Sequence, residues 1–110
     1  MSIDISALLS EIGNKIPALA QTSLSGYIDA ATTDGQRLLA TLKSDIETGT
    51  QDLIENKITK DDFSDLLLGD KDLVQMTALT EAGLALASVD AFRTAVLNLV
   101  VSSVTDFIKI

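Results

Sequence analysis

The sequence predicts an all-α protein: an elongated helical hairpin or bundle of two long helices plus two short ones, packing with further copies into an oligomeric bundle. Apolar residues recur at helical spacing, as in Ile5, Leu8, Leu9, Ile12 and Ile16, without the strict alternation of a half-buried strand. Pro17 is the single proline, so nothing after it forces a helix to stop. The core is aliphatic, because three Phe, one Tyr and no Trp leave Leu, Ile, Val and Ala to fill it. A length of 110 residues fits one domain, and no repeat, linker or low-complexity run divides it.

Taken in order, the first short helix starts under a cap from Ser2 or Asp4. Gly13 and Asn14, both tolerant of the left-handed conformation, end it, and Pro17 opens the next helix, where a missing N–H costs nothing. Over 17–57 a weak heptad seam runs through Ile28, Thr32, Gly35, Leu39, Leu42, Ile46, Gly49, Leu53 and Asn56. Two readings compete: one long helix, or two helices broken near Thr33-Asp34-Gly35 with Asp34 capping the new start. The seam keeps its phase across Gly35, which favours one helix. Thr59-Lys60-Asp61-Asp62 has the form of a capping box and opens a short helix over 60–68, with Gly69 as its C-cap. Residues 73–110 carry only five charges. They read as one long helix over about 70–107, where length and context outweigh the strand preference of Val96, Val100, Val101 and Val104.

Two rows mark that last helix. Gly83, Ala87, Ala91 and Ala95 recur every four residues, and such a row lets another backbone come close; a leucine at Ala87 is then expected to overpack. Asp90, Thr94, Asn98, Ser102 and Asp106 form the polar row of its second half. The rest of the circumference there is apolar, more than a two-helix hairpin covers. The expected interface therefore comprises Gly83, Ala87, Ala91, Ala95, Val96, Val100, Val104 and Phe107, shared with neighbouring copies.

Composition argues against most chemistry. No His and no Cys means no imidazole base, no Ser-His triad, no thiolate nucleophile and no disulfide. Six scattered glycines form no phosphate-binding loop. The acidic stretch Asp61, Asp62, Asp65, Asp70 and Asp72 is the best candidate for a cation, yet it lacks the loop grammar of a calcium site. Its first members sit where acids favour a helix N-terminus. Asp90 and Arg93 are spaced to pair on one helix face, and Tyr27 reads as half-buried packing. The expectation is a protein with no catalytic activity and no cofactor or metal.

The net charge is −8, spread evenly along the chain. It argues against nucleic acid and leaves room for a basic protein partner, as an acidic inhibitor or immunity-type protein would have. The first residues lack the basic and apolar regions of a secretory signal, and the most apolar window holds Asp90, Arg93 and Asn98. A cytoplasmic location is expected, with membrane association possible but not favoured. The leading expectation is a structural or interaction protein that self-assembles as a homo-oligomer; a membrane-active or lipid-binding helical protein comes second.

Overall fold

The first helix, α1, spans Ile5–Ser23 and runs unbroken through the expected stop at Gly13-Asn14 and through Pro17. Leu8, Ile12, Ile16 and Ala20, spaced by fours, are all buried and hold one face in register past the proline. The carbonyl that meets a proline ring belongs to the residue four earlier. Here that residue is Gly13, the most pliable backbone available. In the computed structural model, which describes residues 5–70 and 76–108, helix accounts for 88% of the described residues, and no strand occurs among them. The expected caps Ser2 and Asp4 lie outside those residues.

The long helix expected over 17–57 is interrupted at Leu24, with φ −140°, and at a 3-10 turn, Ser25–Tyr27. Ser23, Ser25 and Gly26 are weak helix formers, while Leu24 and Tyr27 pack onto the core. Helix α2 (Ile28–Thr41) and helix α3 (Lys43–Ile54) follow, separated only by Leu42. The Leu42 amide still bonds the Leu38 carbonyl and the Ile46 amide the Leu42 carbonyl, so the helical phase survives. No break occurs at Thr33-Asp34-Gly35, as the phase of the seam implies. The seam faces inward along both helices: Gly35, Leu39, Leu42, Ile46, Gly49 and Leu53 are buried. Its glycines have a packing reason. A Cβ on Gly35 would stand 2.7 Å from Cγ2 of Ile16 on α1, and one on Gly49 would overlap the ring of Phe63. Asn56, the last seam position, is not helical; its φ of 59° closes α3.

Helix α4 (Lys60–Asp70) begins under the expected capping box and continues past Gly69. The Asp62 amide donates to Thr59 Oγ1 at 3.1 Å, and the Thr59 amide donates to the Asp62 carboxylate at 3.0 Å. The long helix expected over 70–107 is instead two: α5 (Thr77–Glu81) and α6 (Leu86–Ile108). Gly83, placed on a helix face by its spacing, adopts φ +90° in the turn between them. The start expected at Asp70 leads into residues outside those described.

α6 is the centre of the bundle, packed against α1, α2 and α4, with α3 against α4 and α5 laid mainly on α2. Val89, Phe92, Val96, Leu97, Val100, Val101 and Val104 of α6 join one hydrophobic cluster with α1–α5. The radius of gyration is 13.8 Å, close to the ~13 Å expected of a compact chain this long. Breaking the helices at residues 24–27, 42 and 82–85 is what lets the chain cover itself. The all-α class holds; within it, six α-helices among the described residues pack compactly in place of two long helices and two short ones.

Candidate functional site

The expected interface residues divide into two groups. Val96, Val100 and Val104 are buried by the chain itself, and a neighbouring molecule cannot reach them while the fold is closed. Ala87 and Ala91 are exposed, Ala95 is half-buried and Phe107 is 41% exposed. Ala87 and Ala91 thus face solvent rather than another helix of the chain, so the overpacking expected of a leucine at Ala87 does not apply within this fold. Gly83 lies in the preceding turn, open on its Cβ side. The polar row points outward as its spacing implies, with Asn98, Ser102 and Asp106 exposed and Asp90 and Thr94 half-buried.

At the start of α6, Leu86 is 77% exposed, the most exposed large apolar side chain among the described residues. With Ala87 and Ala91 it forms a low ridge between two shallow grooves. One, about 190 Å³, is lined by Ser23, Leu24, Ser88, Ala91 and Phe92. The other, about 300 Å³, is lined by Met76, Thr80, Glu81, Val89 and Arg93, with Leu86 itself on the wall. Arg93 pairs with Asp90 at 3.6 Å, the pairing their spacing implies, and is only 14% exposed. Arg93 and Glu81 thus line that groove with charges of opposite sign.

A wider depression of about 400 Å³ separates α1 from α2 and α3, lined by Ser10, Asn14, Gln36, Leu39 and Lys43 among others. Its one titratable group, Lys43, lies 3.8 Å from Glu47. These side chains can donate and accept hydrogen bonds.

Asp34 is the residue whose surroundings sequence reasoning missed. It lies inside α2, fully buried, and its carboxylate accepts the Ala78 amide at 3.1 Å and the Leu79 amide at 2.7 Å. It caps a helix, as an Asp in that setting is fitted to do, but the helix is α5 rather than its own. Arg37, one turn on, approaches the same carboxylate at 3.5 Å. The pairing spans more than forty residues of chain, and no local pattern announces it.

Among the acidic stretch, Asp61, Asp62 and Asp65 are exposed on α4. Asp70 and Asp72, the other members of that stretch, lie outside the described side chains. No group of three acidic side chains converges on one point among the described residues. Helix α6 is long and apolar enough, by length and composition alone, to cross a membrane. Comparison with models of protein families, with characterised proteins and with solved structures finds no match to this chain.

Proposed function

We propose that the chain is a non-catalytic interaction protein that self-associates, with the ridge at the start of α6 as its contact. The observation that carries this is Leu86, 77% exposed beside the small side chains of Ala87 and Ala91 and flanked by two grooves. A ridge beside a groove is self-complementary: under a two-fold axis, each copy's ridge seats in the other's groove. Size sets a condition. A stable interface buries roughly 800 Å² per partner, and one face of a 23-residue helix, ~35 Å by ~10 Å, supplies less than half. The groove walls at Leu24, Thr77 and Thr80 must therefore join the contact.

Sedimentation velocity tests the reading. The parent should run as a multiple of 11.6 kDa, and Ala91→Glu, at an exposed position, should return it to that mass with its circular dichroism unchanged. A parent that sediments at the single-chain mass at high micromolar concentration would end the proposal.

The second reading is membrane association, supported by the span-like length and mean hydropathy of α6. Insertion would require the bundle to open, because Val89, Phe92, Val96 and Val100 are committed to the core. Flotation with anionic and neutral vesicles tests it; protein left unbound by both counts against it. The case for a basic protein partner rests on the net charge of −8 alone.

A further inference from the structure

We infer that α5 is a detachable strap, latched to the bundle by the buried Asp34 carboxylate, which opens as a unit while the rest of the fold stays closed. A helix of five residues has almost no stability of its own. The residue before it, Met76, makes no side-chain cap bond, so the Ala78 and Leu79 amides depend on Asp34 of α2. The C-terminal end closes on itself. The Gly83 amide bonds the Thr80 carbonyl and the Leu84 amide the Leu79 carbonyl, bonds that travel with the strap. Beyond the carboxylate, the strap is held by two buried side chains, Met76 and Leu79. Helix α1, by contrast, sets four buried side chains into the core.

Opening therefore breaks two charge-assisted hydrogen bonds and exposes two apolar side chains, and leaves the helix-to-helix packing of α1, α2, α4 and α6 in place. The carboxylate is not stranded by the opening. Arg37, 49% exposed and 3.5 Å away on the same helix, remains as its partner. That retained partner is what makes the contact a latch and not a permanent core bond.

Hydrogen exchange on the full chain tests this. In the unaltered protein, the Ala78 and Leu79 amides should exchange through an opening that responds weakly to denaturant, while Ile12 and Val100 follow global unfolding. Asp34→Ala should speed exchange at Ala78 and Leu79 by about 10- to 100-fold, the loss expected for hydrogen bonds to a charged acceptor. Ile12 and Val100 should change far less. Asp34→Asn, which keeps one carbonyl acceptor, should have a smaller effect at the same amides. The inference is overturned if Ala78 and Val100 show the same denaturant dependence in the unaltered protein. It is equally overturned if Asp34→Ala accelerates Ile12 and Val100 as much as Ala78, or leaves the chain unfolded.

Discussion

Single residues here either close a helix or let two helices meet. The Thr59–Asp62 exchange of hydrogen bonds does the first for α4. The Asp62 carboxylate accepts the Thr59 amide, and the Thr59 side chain adds a smaller effect; the two favour the ionised form and hold its pKa below the ordinary 3.8. A depressed carboxylate contributes stability above its unfolded value and loses it as pH falls through the folded one. The cap should thus be intact at neutral pH and weaken only under acid, below about pH 4. Thr59→Ala should cost ~1 kcal/mol in chemical denaturation at neutral pH; alanine keeps the amide that the Asp62 carboxylate accepts, so most of the acid dependence should persist in the variant. Thr32 presents the opposite case. Its hydroxyl is enclosed with no hydrogen-bond partner among the described residues, and burying such a group costs about 1–3 kcal/mol. Thr32→Val keeps the shape and removes the group. Its denaturation midpoint should rise, and a fall would mean that the hydroxyl is satisfied in solution.

At the scale of elements, the start of α4 is legible in the sequence, and most other boundaries are not. The capping box announced α4 because its signal is local: two side chains and two amides within four residues. The stop at Asn56 lies where the helical pattern itself ends near Lys57, whereas Gly83 falls in phase with Ala87 and Ala91 and its spacing places it on a helix face. Backbone conformation decides them. Both residues have positive φ, and each end carries the same pair of closing bonds: Asn56 to Leu53 and Lys57 to Asp52 after α3, Gly83 to Thr80 and Leu84 to Leu79 after α5. Gly83→Ala should then destabilise by about 1 kcal/mol, although an added Cβ would touch nothing. Asn56→Gly should be neutral or slightly stabilising, since glycine enters that region without a Cβ penalty. Thermal melts of the two variants give opposite signs if the left-handed caps are right. Pro17 misled in the other direction: a local rule for helix starts lost to four buried side chains that continue through it.

For the whole molecule, the apolar excess of the C-terminal helix was legible, and its destination was not. Spacing shows that Val96, Val100 and Val104 must be covered; it does not show by what. The answer lay in where the preceding helices break, at Leu24–Tyr27, Leu42 and Gly83, and those turns bring α1, α2 and α4 around α6. Surface that the sequence assigned to neighbouring copies is thus largely spent on the chain's own core, and the large apolar side chains still exposed among the described residues are Leu66, Leu86 and Phe107. This separates two substitutions that a subunit-interface reading of the apolar face would treat alike. Val100 is fully buried, so Val100→Asp places an unpaired charge in an apolar interior, at a cost of several kcal/mol against a total stability of about 5–15 kcal/mol. It should abolish the cooperative thermal transition at every concentration. Leu86→Asp sits on an exposed position and should leave the fold intact. If copies associate through the ridge, the parent's Tm should climb with protein concentration by mass action, and the Leu86→Asp variant's Tm should not. A parent whose Tm stays constant over a hundredfold dilution, with Leu86→Asp melting alongside it, would show that the bundle is complete as a single chain.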